Sequence, residues 1–299
     1  MSSAIRAFGL RKRFGRATAL DGLELEAPEG RIYGLVGPNG AGKTAAIKVL
    51  MNILPPTEGR SMALGVDSRR LGPKEFAQIG YVSENQEMPE WMTVGYYLNY
   101  LKPFYPAWDD ALAEELVRHF QLPPDRKLRH LSRGTRMKAA LASSLAYRPR
   151  LIVLDEPFTG LDPLVRDDLI EGLLERAEDA TIFISSYDLA EIESFASHIG
   201  YLERGRLQFS EELESLSARF REVALTFPAA PALPPDWPAH WLQPETSPAV
   251  FRFIDSRFDA ERTPADARRL FPDLQDMAVN AMSLRSIFVA LAKAGRAAA

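Results

Sequence analysis

The stretch Gly37-Pro-Asn-Gly-Ala-Gly-Lys-Thr44 decides the fold. It matches the pattern of a P-loop, in which glycines let the backbone wrap a phosphate and present N–H groups to it. An apolar run, Ile32–Val36, precedes it and is typical of a buried strand, while apolar residues at helical spacing follow it. The pattern indicates a phosphate-binding loop where a strand precedes it and a helix follows it. The sequence therefore predicts a strand–loop–helix unit that binds phosphate groups.

The P-loop predicts ATP and Mg²⁺ as the cofactors. Lys43 can neutralise the β- and γ-phosphates and Thr44 can bind Mg²⁺, while the N-terminus of the helix favours the anion. The residues expected to bind the nucleotide here are Gly37, Pro38, Asn39, Gly40, Ala41, Gly42, Lys43, Thr44 and Ala45.

A second strand ends in two carboxylates, at Leu151-Ile-Val-Leu-Asp-Glu156. Asp155 at the strand tip can hold the magnesium ion, and Glu156 can act as general base on an attacking water. Such a strand end is often only a solvated edge, but after a P-loop it indicates a hydrolytic site.

The segment Leu131-Ser-Arg-Gly-Thr135 lies shortly before that strand and begins a helical run. Here the chain resembles the ABC ATPase family, whose signature is of the Leu-Ser-Gly-Gly-Gln type, over about residues 4 to 220. The resemblance implies an α/β fold with a RecA-like core, an antiparallel β subdomain and a helical subdomain at about 91–147. It also implies a head-to-tail pair of cassettes, in which Ser132 and Gly134 contact the γ-phosphate bound by the partner. Arg133 replaces a glycine, which resembles the export-type branch.

Other family elements follow in register. Phe14 stands where an aromatic residue stacks on adenine, although a core phenylalanine is the alternative, and Asp162 belongs to a D-loop that couples the two sites. The segment Ile79–Trp91 is most similar to ABC-2 type exporters. The resemblance implies that the surface around Glu84 to Tyr100 receives a separate membrane permease. The aromatic residues expected to be exposed there are Trp91, Tyr96 and Tyr97.

Three positions depart from the family pattern. Glu84 stands where glutamine is usual; its carboxylate can still bind Mg²⁺ but adds negative charge, and Gln86 is an alternative if the alignment shifts locally. Tyr187 replaces the histidine that contacts the γ-phosphate, and its hydroxyl stays neutral near pH 7. Ala45 lacks a hydroxyl that often contacts the α-phosphate. The sequence predicts that ATP binds and that hydrolysis persists, slowly or only with the correct partner.

Composition changes after this cassette, which is predicted to occupy residues 1–222. Seven prolines fall between Pro228 and Pro248, which excludes a regular helix or a central strand there. Residues 223–299 are predicted to form a small α+β domain. Its last helix is expected to begin after Ser283 and to end at Gly295, while Arg204-Gly205 is expected to turn a hairpin inside the cassette.

The bulk composition limits the partners. A net charge of −4 argues against nucleic acid, and the lack of cysteine excludes disulfides and thiolate metal sites. No run of about 18 apolar residues occurs, so the permease is expected on another chain, with this chain soluble alone and held at the cytoplasmic face of the membrane. The cassette partner can be a second copy or a different chain. The alternatives are a hydrolysis-impaired regulatory subunit and a non-transport ABC ATPase.

Overall fold

The computed structural model describes residues 2–176, 179–231, 234 and 236–297. The chain divides into two compact units, Met1–Ser210 and Glu211–Ala299. The division expected from the sequence, at 222/223, falls inside a strand of the second unit, Arg221–Thr226. The sheet of that unit begins before the proline-rich stretch that marks the change in composition.

The strands of the described residues are β1 (Ser3–Phe14), β2 (Ala17–Pro28), β3 (Ile32–Val36), β4 (Glu58–Ala63), β5 (Val66–Asp67), β6 (Ile79–Ser83), β7 (Leu151–Asp155), β8 (Thr181–Ser186), β9 (His198–Glu203), β10 (Arg206–Glu212), β11 (Arg221–Thr226), β12 (Trp241–Ser247), β13 (Val250–Asp255) and β14 (Asp276–Ala281). The α-helices are α1 (Lys43–Leu50), α2 (Pro73–Phe76), α3 (Val94–Leu101), α4 (Asp110–His119), α5 (Arg133–Leu145), α6 (Pro163–Leu174), α7 (Leu189–Glu193), α8 (Leu213–Arg219), α9 (Arg262–Leu270) and α10 (Leu284–Ala297).

A six-stranded sheet, in the order β10-β9-β3-β8-β7-β6, forms the centre of the first unit. Strands β6, β7, β8, β3 and β9 run parallel. The register places Asp155 opposite both Ser83 and Ser185. The loops that leave the carboxyl ends of β3, β6, β7 and β8 therefore meet at one edge, where open parallel sheets bind their ligands.

A second, antiparallel sheet has the order β2-β1-β4-β5. The alternating side chains Leu23, Leu25 and Ala27 of β2 are buried on one face and share a core with α1. The predicted hairpin is confirmed: Arg204 and Gly205 join β9 to β10 with φ of 50° and 75°, the left-handed values that a two-residue hairpin turn requires.

The chain between β6 and β7 is mostly helical. Helices α3, α4 and α5 begin after Thr93, Asp109 and Ser132, whose side chains each accept a backbone N–H of the first turn. Apolar side chains between charged stretches, including Leu98 and Leu116, are buried. The expected α/β cassette with a β subdomain and a helical subdomain is confirmed.

The second unit is α+β, as expected. Its antiparallel sheet has the order β12-β13-β11-β14, and Trp241 stacks on Phe253 in its core at 3.9 Å between ring centroids. Edge strand β12 contains Pro244, and its register shifts between Leu242 and Glu245. Proline is tolerated there because an edge strand with an irregular register does not need every N–H.

The terminal helix begins as predicted, because the Ser286 N–H donates to the Ser283 hydroxyl at 3.2 Å. Its predicted end is wrong: α10 runs through Gly295 to Ala297. Glycine in a helix interior costs about 1 kcal/mol, a preference that its surroundings can override. No helix in the part of the chain that the structure describes combines the length and apolarity needed to cross a bilayer.

Candidate functional site

The P-loop between β3 and α1 is fixed by glycines with close neighbours. A Cβ at Gly37 would lie 2.1 Å from the carbonyl oxygen of Leu202, and one at Gly42 would lie 2.3 Å from that of Ala19. Gly42 also has a φ of 109°, which L side chains rarely adopt. The neighbouring strands therefore define the path of the loop, and its amides are held at the N-terminus of α1.

Lys43 lies at the centre of the site with its side chain buried. Its Nζ donates to the carbonyl oxygens of Gly37 at 2.6 Å and Pro38 at 3.1 Å, and forms an ion pair with Glu156 Oε1 at 3.1 Å. A buried ammonium needs such partners. A phosphate entering the loop would compete with Glu156 for this charge.

Asp155 at the end of β7 is linked to the P-loop by hydrogen bonds. Its Oδ1 accepts from the Thr44 hydroxyl at 3.1 Å and from the Ser185 hydroxyl at 2.8 Å. Burial raises the pKa of Asp155, and these two hydrogen bonds oppose that shift. A desolvated carboxylate beside a hydroxyl is a strong oxygen donor set for a hard cation.

The donors present fit Mg²⁺. This ion usually takes one or two protein oxygens and completes its shell with water and substrate phosphates. Thr44 and Asp155 supply such oxygens beside the P-loop. Among the described residues, no cluster of three or more His, Cys, Asp and Glu side chains is placed to hold a metal ion by itself.

Glu156 has a strained backbone. Its φ of 54° is left-handed, which is uncommon for a residue other than glycine. Its N–H donates to the Ser185 hydroxyl at 3.0 Å, and its Oε2 accepts from the Thr159 hydroxyl at 3.2 Å. These contacts hold the carboxylate toward the P-loop rather than toward solvent.

A cavity of about 460 Å³ lies over this edge of the sheet. It brings together the P-loop, Glu156 and the three positions that depart from the family pattern, Ala45, Glu84 and Tyr187. Gln86, the alternative to Glu84, does not line it; its Oε1 accepts from the Ser83 N–H at 3.3 Å. The residues that line the cavity are Ala19, Asn39, Gly40, Ala41, Gly42, Lys43, Thr44, Ala45, Glu84, Glu156, Thr159 and Tyr187.

Sequence reasoning missed Ala19, Thr159 and Ser185 in this site. The sheet register offers the clearest signal for Ser185, because it lies opposite Asp155 on the neighbouring parallel strand. Thr159 lies three residues beyond Glu156, in the turn that follows β7. Ala19 contributes a backbone carbonyl close to Gly42, which no side-chain pattern reveals.

Seven predicted site residues do not line the cavity. Gly37, Pro38 and Asp155 hydrogen-bond to Lys43 or Thr44, which do line it. The other four are Phe14, Ser132, Gly134 and Asp162. The alternative of a core phenylalanine at 14 is wrong, since Phe14 is 50% exposed, with the Lys12 ammonium 5.0 Å from its ring centroid.

Ser132 and Asp162 both cap helices. The Ser132 hydroxyl accepts from the Thr135 N–H at 3.1 Å, and Asp162 Oδ1 accepts from the Val165 N–H at 3.1 Å. A Cβ at Gly134 would lie 2.9 Å from Val165, so this glycine lets α5 approach α6 closely. Each residue thus has a structural role within one chain, and Ser132 also remains exposed.

A parallel sheet whose strand ends carry a P-loop, a buried carboxylate and a candidate base has the arrangement of a P-loop nucleotide triphosphatase. Within that class, the ABC transporter family model matches residues 20–159. The chain is also 30% identical to the ABC transporter ATP-binding protein YtrB of Bacillus subtilis over 210 residues, which are 70% of this chain and 72% of that protein. The chain belongs to the ABC transporter family as an ATP-binding subunit, and this family is one of ATPases.

Other similar proteins carry names from export and resistance. The chain is 34% identical over 209 residues to the daunorubicin resistance ATP-binding protein DrrA2 of Streptomyces coeruleorubidus, covering 68% of this chain and 65% of that one. It is 29% identical over 226 residues to the bacitracin transport ATP-binding protein BcrA of Enterococcus faecalis, covering 74% and 73%. The resemblance to an exporter branch, inferred from the motifs, agrees with these relatives.

Solved structures show the same fold. An ATP-binding subunit of an ABC transporter superposes with a TM-score of 0.66 at 25% identity, covering 72% of this chain and 92% of that one. A bacterial ABC transporter cassette solved as a dimer gives a TM-score of 0.64 at 22% identity, covering 70% and 98%. These matches cover little more than the first unit in length.

Proposed function

We propose that this chain is the ATP-hydrolysing subunit of an ABC exporter and that it drives a separate membrane permease. The observation that carries the proposal is the convergence of Lys43, Asp155 and Glu156 on one sheet edge beneath the P-loop. The names of the similar proteins, which concern drug resistance and antibiotic transport, support export as the process.

The P-loop amides and Lys43 would hold the phosphates, and Thr44 and Asp155 would hold Mg²⁺. The ion would neutralise charge on the β- and γ-phosphates. Phe14, exposed at the end of β1, would stack on adenine, and Glu84, which lines the cavity, would supply a further oxygen for the metal.

Glu156 would act as the general base. It takes a proton from water as the water oxygen bonds to the γ-phosphorus, while the bond to the bridging oxygen breaks and leaves ADP. The ion pair between Glu156 and Lys43 must first break. The phosphates then replace Glu156 as the partner of Lys43. Tyr187 would donate one neutral hydrogen bond to the γ-phosphate, which is weaker than one from a charged imidazolium.

A second cassette would complete the site. Ser132 is exposed at the N-terminus of α5, whose dipole favours an anion, and with Gly134 it would face the γ-phosphate of the partner cassette. Asp162 would link the two sites. The partner can be a second copy of this chain or a related one.

The permease would dock on an exposed aromatic surface of the helical subdomain, consisting of Trp91, Tyr96, Tyr100 and Phe104. Their rings pair as Trp91–Tyr96 and Tyr100–Phe104, with centroids 5.7 and 5.5 Å apart. Exposed aromatic clusters of this kind are typical of interaction sites. Tyr97, expected in the same surface, is instead buried. Docking there would hold the chain at the cytoplasmic face of the membrane.

A regulatory subunit with impaired hydrolysis is the second candidate. The observation that favours it is Tyr187, a phenol at the edge of the cavity where the family has histidine.

Purification of the full chain with its membrane partner, followed by steady-state ATPase assays, tests both candidates. The leading proposal expects turnover that falls at least about 100-fold in Glu156→Gln, because the general base is removed. ATP affinity should be retained in that variant. If the complex turns over ATP at the same rate with and without Glu156, the assignment of the base is wrong. If the wild-type complex binds ATP without turnover, the regulatory candidate is correct.

A further inference from the structure

Two of the residues that depart from the family pattern contact each other. Arg133 Nη2 donates to Glu84 Oε1, although the two residues are 49 positions apart in the chain. Arg133 replaces a glycine of the signature, and Glu84 replaces the usual glutamine after β6. The arginine and the glutamate thus form a pair of opposite charges between two segments distant in the chain.

The Glu84 backbone is fixed by a hydrogen bond, whereas its side chain can contact either of two partners. The Glu84 N–H donates to the carbonyl oxygen of Asp155 at 2.9 Å, so its main chain is tied to the end of β7. Its side chain lines the nucleotide cavity and also a neighbouring cavity that Arg133 and Arg136 line. Its carboxylate can consequently serve either the nucleotide site or Arg133.

Gly160 leaves room for the Arg133 side chain. A Cβ at Gly160 would lie 2.9 Å from Arg133 Nη1 and 3.4 Å from its Cζ, so the guanidinium lies where a side chain at 160 would be. Gly160 itself has a φ of 69°. The guanidinium thus contacts the loops that follow both β6 and β7, which limits its rotamers and favours the pair with Glu84.

Charge explains what the pair does. The cavity edge carries three carboxylates, Glu84, Asp155 and Glu156, and one lysine, which pairs with Glu156. Without Arg133, the Glu84 carboxylate would face an incoming triphosphate without compensation. With Arg133 present, the charge of the Glu84 carboxylate is compensated, but the ion pair must break before the carboxylate can approach a metal.

We propose that Arg133 is a positioning residue for Glu84: it holds the carboxylate away from the nucleotide until Mg²⁺ competes for it. The inference rests on the proposed nucleotide site. Its consequence is that Arg133 sets how strongly nucleotide binding depends on Mg²⁺. Removing Arg133 should weaken the binding of metal-free nucleotide, because the charge of Glu84 is then uncompensated. Binding of the magnesium complex would no longer require the Arg133–Glu84 ion pair to break.

The test measures the affinity of the full chain for a non-hydrolysable ATP analogue, once with Mg²⁺ and once with EDTA. The dissociation constant in EDTA divided by that in Mg²⁺ should rise about two- to fivefold in Arg133→Ala. This is the range expected for a part-exposed ion pair. In a Glu84→Gln background the same substitution should change the ratio by less than about twofold, because its effect acts through Glu84.

Arg136→Ala is the matched control. Arg136 lies one turn further along α5, lines the neighbouring cavity and pairs with Glu90 at 3.8 Å, outside the nucleotide cavity. It should leave the ratio unchanged, and thermal unfolding should confirm that all variants fold. Equal shifts in both Glu84 backgrounds, or no shift in either, overturn the role of Arg133. A folded wild-type chain that binds no nucleotide overturns the proposed function itself, and this inference with it.

Discussion

The P-loop and the loops opposite it, at Glu84 and Tyr187, border one cavity but are held in different ways. The P-loop is confined by backbone atoms of neighbouring strands, and its lysine is buried with three oxygen partners. On the opposite side, Tyr187 is 46% exposed and the Glu84 carboxylate is held by a part-exposed arginine.

Because of this difference, the two sides of the cavity are expected to have different roles in nucleotide binding and turnover. A loop whose path is set by close backbone contacts can bind phosphates without rearrangement, which favours affinity. Exposed side chains with exchangeable partners can instead respond to the metal and to the γ-phosphate, which favours control of turnover. We therefore expect changes in the P-loop to act mainly on binding, and changes on the opposite side to act mainly on rate and on the dependence of binding on Mg²⁺.

The largest effect should come from crowding the P-loop. In Gly42→Ala, the new Cβ would lie 2.3 Å from the Ala19 carbonyl oxygen at a φ of 109°, so the backbone must move. We expect ATP affinity to fall at least about tenfold and the free energy of unfolding to fall by about 2–3 kcal/mol. Calorimetric titration and denaturant unfolding measure the two effects.

Gly40→Ala is the control for that substitution. Gly40 also has a positive φ, of 79°, but no atom lies within 4 Å of the position that a Cβ would occupy. Gly40→Ala should lower the free energy of unfolding by only about 1 kcal/mol, which is the cost of a left-handed backbone for a residue with a Cβ. If both variants lose stability and affinity equally, then the contact with Ala19 does not define the loop.

Sequence patterns predicted the rigid side of the site best. A P-loop, the strand end at Asp155 and Glu156, and the turn at Arg204-Gly205 are local patterns with local physical causes, and the structure contains each of them. The parallel register then brings the strand ends together, because successive buried strands in such a fold align their carboxyl ends.

The contacts that escaped prediction are not local. The pairing of Arg133 with Glu84 joins two loops through long side chains, and nothing in either segment specifies the other. Gly295 shows the opposite failure: a local signal predicted the end of the helix there, but the helix continues through it to Ala297. The proline-rich stretch marked a change of composition, whereas the second sheet begins before it, at Arg221.

A smaller effect, on rate rather than binding, is expected on the opposite side of the cavity. Tyr187→His should raise the steady-state ATPase rate of the complex about fivefold, because an imidazolium gives a charge-assisted hydrogen bond to the γ-phosphate. The gain should be greatest below about pH 6.5, where an ordinary histidine is protonated. ATP affinity should change little.

Tyr187→Phe serves as the control, since it keeps the ring and removes only the hydroxyl. It should lower the rate if the phenol donates to the γ-phosphate. A histidine variant with no gain at any pH would show that the tyrosine does not limit turnover, and the two sides of the cavity would then differ less than their contacts indicate.

The smallest effect tests whether the P-loop can still gain affinity. Ala45 lines the cavity at the first turn of α1, where related cassettes often carry a hydroxyl that contacts the α-phosphate. Ala45→Ser should tighten ATP binding about threefold, since one added hydrogen bond contributes about 0.5–1.5 kcal/mol. The turnover rate at saturating ATP should stay unchanged, because the α-phosphate does not change charge during hydrolysis. A change in rate without a change in affinity would show that this side of the cavity also controls turnover, which contradicts the division between a binding side and a sensing side.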